Sequence, residues 1–390
     1  MTAMSTIDSA GADLLAEAVS WRHHLHRHPE LAFGERQTSQ FIASRLESFG
    51  LQVHRGLAGT GVVGTLTRGT GRRSIGIRAD MDALPIREES GAPHVSSVAG
   101  VMHACGHDGH TAMALAAARV CAGLPNLDGT VHFIFQPAEE NEGGGRRMVA
   151  EGLFEQFPCD HVYALHNWPA TPAGTCVALD GPMMAAFGTF EIGIRGRGAH
   201  GAMPHAGTDA ILTAAQVVSA LQSIVSRNVD PLQSAVVSVT QIRGGETWNV
   251  LPDECLIRGT TRWYDDGVGD SIEERVARLA NSVAAGFGCT ARVDYQRRYP
   301  ATINDPASAK LVREVAGAVP LSVIDSPPSM GAEDFAYMLR AVPGCYLWLG
   351  AARAGENPGL HSPRYDFNDD VLPAGVALWV SLVRRSLARP

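Results

Sequence analysis

The hydrophobic rhythm of this 390-residue chain changes twice, near residue 187 and again near residue 301, and few folds accommodate that. Upstream, short β-rich runs (Gly61 to Thr67, Ser74 to Arg78, Val131 to Phe135, Val162 to Leu165) alternate with helical stretches at Glu35 to Phe49 and His110 to Ala122. The first helix places Phe41, Ile42, Leu46 and Phe49 at helical spacing, and Gly50 ends it. Such alternation describes an α/β domain around a buried sheet. Between the two changes the order becomes β-α-β-β-α-β. Strands are expected at Thr189 to Arg195, Ala235 to Arg243, Glu254 to Trp263 and Thr290 to Arg297. The helices are Asp209 to Ser226, with Ile211, Leu212, Ala215, Val218, Leu221 and Val225 as its apolar stripe, and Ser271 to Ala285, capped by Asp270 and ended by Gly286. This is the ferredoxin-like order. After Pro300 the α/β pattern resumes, with helices at Lys310 to Ala318, Glu333 to Arg340 and Val371 to Leu387 and a strand at Cys345 to Gly350. The expected architecture is a discontinuous α/β/α domain, residues 1–186 and 302–390, interrupted by a complete ferredoxin-like domain, residues 187–301.

Charge narrows the partners. The net charge is −8, and no dense Lys/Arg run is present, which argues against nucleic acid or an anionic membrane surface. No stretch is expected to span a membrane, and residues 1–14 lack the pattern of a signal peptide. Seven scattered cysteines fit a reducing cytoplasm better than a disulfide framework.

The histidines point to a metal. Cys105 and His107 lie in Met102-His-Ala-Cys-Gly-His-Asp-Gly-His110, Glu140 ends Phe135-Gln-Pro-Ala-Glu-Glu140, His166 opens His-Asn-Trp-Pro169, and His361 lies in Gly359-Leu-His-Ser-Pro363. Thiolate, imidazole and carboxylate together suit Zn²⁺, Mn²⁺, Co²⁺ or Ni²⁺. Glu140 and His166 are expected just after the C-terminal ends of strands, where open α/β sheets bind ligands. Taken singly, each residue is more often a core or surface side chain. Two carboxylates straight after the apolar run Phe133-Ile-Phe135 are costly unless something stabilises them. Glu139 and Glu140 can divide the work, one holding metal and the other moving a proton.

Other motifs read as structural. Gly59-Thr-Gly-Val-Val-Gly64 has dinucleotide-fingerprint spacing, but the β-branched residues after it favour a strand over the required helix. Trp21 to His28 reads as the polar face and end of an N-terminal helix, Gly143 to Gly145 as a helix entrance, and His110 and His205 as local hydrogen-bonding groups. Trp168, Met183, Met184, Phe187 and Met330 read equally well as core or as the lining of an apolar pocket.

These stretches also carry a family likeness. Together with Arg78-Ala-Asp-Met-Asp-Ala-Leu-Pro85, Gly198-Ala-His-Gly-Ala-Met-Pro-His205, Asn249-Val-Leu-Pro252 and Gly331-Ala-Glu-Asp-Phe335, the chain resembles the hippurate hydrolases, aminoacylases and auxin-conjugate amidohydrolases, and more distantly the carboxypeptidase G-like metallopeptidases. The resemblance implies a di-metal exopeptidase-like catalytic domain with an inserted lid and dimerisation domain. It implies two divalent ions held by Cys105, His107, Glu140, His166 and His361, with Cys105 bridging. It makes Glu139 the general base on a metal-bridging water and Asp82 the residue that orients a ligand imidazole. It makes His200 an oxyanion donor across a homodimer and Asn249 a contact to the substrate carboxylate. The implied activity is hydrolysis of N-acyl amino acids to a carboxylic acid and a free amino acid. A dipeptidase or carboxypeptidase with the same centre, and a non-catalytic metal-dependent binding protein, are the alternatives; Glu139 argues against the last.

Overall fold

The computed structural model describes residues 3–140 and 142–388. They form two compact units. One holds the chain up to Met183, Thr302–Pro328 and the chain from Asp334 on; the other holds Met184–Ala301 with Ser329–Glu333. The short piece 329–333 thus leaves the first unit, a detour that no periodicity announces.

The first unit is built on an eight-stranded mixed sheet. Its strand order is Gln52–Leu57, Gly61–Arg68, Gly129–Gln136, Ser74–Asp80, His161–Pro172, Gly344–Ala352, Thr175–Val177, Ser322–Val323. Four neighbouring central strands, from Gly129–Gln136 to Gly344–Ala352, run parallel. They are almost continuously buried, as expected of parallel strands covered on both faces. The helix His107–Ala122 is buried along nearly its whole length, because Ala112, Ala114 and Ala116 to Ala118 let other elements close around it. The N-terminal helix Ala3–Arg27 and the C-terminal helix Leu372–Leu387 pack against it. Gly61 and Gly64 lie in the strand Gly61–Arg68, Gly59 in the turn that enters it, and the next element is another strand, so the dinucleotide-like spacing opens no helix.

Two expectations need correction here. The strand His161–Pro172 runs well past Leu165, so His166 lies within it, opposite Trp348. The Trp21 to His28 segment does end the N-terminal helix, but it is not merely a polar face. Arg22 and His26 are fully buried. Arg22 is paired with Asp108, Asp366 and Asp369, and His26 with Asp108 and Glu88. A charge survives burial when its partners are buried with it, and sequence periodicity does not show partners.

The second unit is ferredoxin-like. Its antiparallel sheet runs Ala235–Arg243, Glu254–Trp263, Ala186–Arg195, Thr290–Tyr299. Alternate residues of Ala186–Arg195 are buried, so one face is covered by helices. The covering face of Ala210–Leu221 is Ala210, Thr213, Ala214, Val217 and Leu221; of the expected stripe only Leu221 is fully buried, with Val218 and Val225 packed partly against the core. Ile211 and Leu212 are 42% and 47% exposed. Small residues let this helix lie close to the sheet, and Thr213 donates to Cys289 Sγ at 3.3 Å. The helix Asp266–Gly286 starts a turn earlier than expected. Asp265 caps it by accepting from the Val268 N–H at 3.1 Å, while Asp270 pairs with Arg297. By length and composition Ala210–Asn228 could cross a membrane, contrary to expectation, yet it is two short helices whose inner face serves this unit's core.

Candidate metal centre

The centre is assembled at the C-terminal ends of the parallel strands. Asp80 ends one strand, Asp82 follows it, and Glu139 and Glu140 follow the strand Gly129–Gln136. His107 is the first residue of its helix. The preceding Gly106, at φ +90°, makes the bend after Cys105, and a Cβ there would collide with Asn167 Oδ1. His361 is itself left-handed, φ +63°, with its N–H donating to the Ala104 carbonyl at 2.8 Å. A non-glycine residue in that region is held there by its surroundings, which is common at functional sites.

The first unit brings seven of the nine expected site residues together. Ligand atoms of Cys105, His107 and His166 lie within 4.8 Å of one another, as do those of Cys105, Glu140 and His361, and those of His107, Glu139 and Glu140. Cys105 therefore belongs to two triplets. Its Sγ lies 3.3 Å from His166 Nε2, and Glu140 Oε1 lies 3.1 Å from His361 Nε2. Both buried imidazoles are oriented through Nδ1. That of His166 donates to the Asn167 carbonyl at 2.7 Å, and that of His107 to the Asp82 carbonyl at 2.9 Å, with Asp82 Oδ1 at 3.2 Å. This leaves each Nε2 to act as a ligand. Asp82 Oδ2 also accepts from the Glu140 N–H at 3.0 Å, so one carboxylate steadies two of the candidate ligands.

Electrostatics favour a cation here. Burial disfavours the His107 imidazolium, yet Asp80, Asp82 and Glu140 push its pKa up to about 10. Burial, then Glu140, Glu139 and Asp80, push the Cys105 thiol well up, so a thiolate needs a positive partner beside it. Burial, then His110, hold the His166 imidazole neutral, as a ligand should be. His107 Nε2 is buried with no hydrogen-bond partner among the described residues. A buried polar atom in that state, in a ring of acidic and thiol groups, is what a metal ion would satisfy, so the residues fit the implied pair of ions.

His200 and Asn249 are on the second unit and adjacent there. Residue 200 pairs with Val250, and the Gly201 N–H donates to the Asn249 carbonyl at 2.6 Å. Both are exposed. Asp80 was not singled out from sequence; its only signal was standing two residues before Asp82. His110 is a hydrogen-bonding group as expected, between Asp80 Oδ1 and Asn167 Oδ1, each at 2.6 Å. Of the suspected pocket residues, Trp168 stacks on Trp348 with ring centroids 4.2 Å apart, and its ring is 6.1 Å from that of His166. With Pro169, Ala170, Asn357, Gly359 and Leu360 it lines an open, largely apolar cavity of about 330 Å³. All seven cysteines are free.

A sheet of this order, with thiol, imidazole and carboxylate groups that could hold metal gathered at the C-terminal ends of its parallel strands, has the arrangement of a metal-dependent hydrolase. The chain belongs to peptidase family M20/M25/M40, whose pattern matches residues 76–385, and it is a metal-dependent amidohydrolase of that family. It is 42% identical to the N-acetyl-L-cysteine deacetylase of Bacillus subtilis, covering 86% of this chain and 80% of that one. It is 36% identical to the hippurate hydrolase of Campylobacter jejuni, covering 96% and 98%. Among solved structures, a dinuclear metal binding peptidase of Bacillus subtilis superposes with a TM-score of 0.85 at 32% identity, covering 96% of this chain and 99% of that one.

Proposed function

We propose that the protein hydrolyses the amide bond of N-acyl amino acids, releasing a carboxylic acid and a free amino acid. The observation that carries this is the meeting of Glu139 with five ligand residues whose two buried imidazoles are both tied back through Nδ1. The activities named for the deacetylase and hippurate hydrolase relatives support it. Two divalent ions, zinc, manganese, cobalt or nickel, held by Cys105, His107, Glu140, His166 and His361, would polarise the scissile carbonyl and acidify a water. Glu139 takes the proton from the attacking water and returns it to the leaving amine nitrogen. Asp82 keeps His107 and Glu140 in place meanwhile. His200, exposed on the second unit, donates to the oxyanion across a homodimer, and Asn249 beside it meets the substrate carboxylate.

The test is Glu139→Gln, assayed for amino acid release from N-benzoylglycine and a panel of N-acetyl amino acids, with added metal and with chelator. The substitution should leave bound metal unchanged and lower kcat by about 10²–10⁴-fold. A mutant within tenfold of wild type would remove Glu139 as the base. Release from dipeptides alone would overturn the substrate class.

A further inference from the structure

Glu35, just before the helix Arg36–Ser48, has a fully buried carboxylate outside the ligand set. One oxygen accepts from the Ala138 backbone N–H at 2.9 Å, and the other from the Thr60 hydroxyl at 2.7 Å. Ala138 sits at φ +54°, in the left-handed region that an alanine seldom enters. The next two residues are Glu139 and Glu140. The Ala138 carbonyl is held as well, accepting from the Gly144 N–H at 2.9 Å, and Gly144 packs so tightly on the Pro137 carbonyl that a Cβ would collide with it. Both polar groups of one strained residue are thus fixed from outside the turn. Released, Ala138 would fall back to a right-handed or extended φ and swing the peptide that leads into Glu139. Burying a carboxylate is costly even with these hydrogen bonds, and burial, with Asp82 adding to it, pushes the Glu35 carboxyl up to about 7.

We infer that Glu35 is a positioning residue that locks Ala138 in its left-handed turn and so aims the Glu139 carboxylate; this rests on the reading of Glu139 as the base. The requirement is for an acceptor at that point rather than for a charge. Glycine at 138 takes φ +54° without penalty, so it lessens the need for the lock.

The experiment uses the full metal-loaded chain with N-benzoylglycine as substrate, and measures kcat, KM, bound metal per chain and Tm. Glu35→Ala should lower kcat roughly 30-fold, with KM within about threefold and bound metal unchanged, as the Ala138 N–H loses its acceptor along with the Thr60 hydroxyl. Glu35→Gln, which keeps an acceptor oxygen, should stay within about threefold of wild type. Adding Ala138→Gly to Glu35→Ala should restore kcat about tenfold, the factor equivalent to removing a left-handed alanine. A Glu35→Ala kcat within threefold of wild type overturns the inference. So does a loss that Ala138→Gly leaves unrepaired, or one that Glu35→Gln shares in full. If Glu35→Ala fails to fold, Glu35→Asp, which withdraws the acceptor but keeps the charge, makes the same comparison. An active Glu139→Gln defeats the base assignment; an inactive Glu139→Gln beside a fully active Glu35→Ala defeats this inference alone.

Discussion

Asp82→Asn is nearly isosteric, yet it should weaken metal binding about 10- to 100-fold. The wild-type carboxylate, 1% exposed, takes one donor on each oxygen: the His107 ring at 3.2 Å on Oδ1 and the Glu140 N–H at 3.0 Å on Oδ2. An amide has one oxygen. Whichever way it turns, its NH₂ faces a donor: either the Glu140 N–H loses its acceptor, or the His107 ring N–H is met by a second donor at the carboxylate's place. That costs about 1–3 kcal/mol. At 1.4 kcal/mol per decade the range corresponds to roughly 5- to 150-fold in affinity, and changes to groups that orient metal ligands fall in the same range. The His107 ring keeps its 2.9 Å bond to the residue 82 carbonyl, which the substitution does not touch, so the loss should stop short of complete release. The assay is competition with a chelating dye on metal-free protein at fixed pH, with circular dichroism to verify the fold. A metal Kd within threefold of wild type in a folded Asp82→Asn would show that the ligands hold their places unaided.

Two further outcomes are expected. If the cavity beside His166 receives the acyl group, Trp168→Ala should lower kcat/KM on N-benzoylglycine by about tenfold or more, since aromatic contacts of this kind are worth on the order of 1–3 kcal/mol, and should change N-acetylglycine less than threefold; equal losses on both substrates would place the acyl group elsewhere. His26 gives the first unit a pH signature: burial opposes its charge, but Asp108 and Glu88 push its pKa up to about 9 from an ordinary 6.5, so the stabilisation is complete below pH 6.5 and is lost as the pH rises through 9, amounting to at most about 3 kcal/mol. The Tm difference between wild type and His26→Gln should therefore be largest near pH 6 and shrink towards pH 9.5; a gap that is flat across that range would contradict it.

Much of the fold was legible because it rests on period. Strands such as Ala235–Arg243 and Glu254–Trp263 fall at their expected bounds, since β-branched and aromatic runs bounded by turn residues have few other uses. The helix Ala210–Leu221 shows where period fails. Hydrophobicity alone favoured Ile211 and Leu212, whereas close packing selected the smaller Ala210, Thr213 and Ala214. The metal-ligand candidates were legible because Cys, His and Glu at the ends of apolar runs are costly without a purpose. Glu35 was not, because a glutamate at the start of a helix is ordinary until its buried partner, about a hundred residues away at Ala138, is known. Arg22 and His26 were hidden for the same reason: a charged residue reads as surface until Asp108, Glu88, Asp366 and Asp369 are found around it.

The sheet order has a consequence for how the chain is made. The strand Gly344–Ala352 lies between His161–Pro172 and Thr175–Val177, although the ribosome delivers it long after both. At about 5–20 residues per second, roughly 10–35 s separate the end of the earlier parallel neighbour from the start of the later strand. All four strands of the ferredoxin-like sheet emerge within that wait, so that unit can fold while the first unit still exposes an open strand edge of the kind that invites aggregation. His361 emerges later still. A nascent chain that stalls before it lacks one of the five candidate ligands, so the centre would close only once residue 361 has emerged.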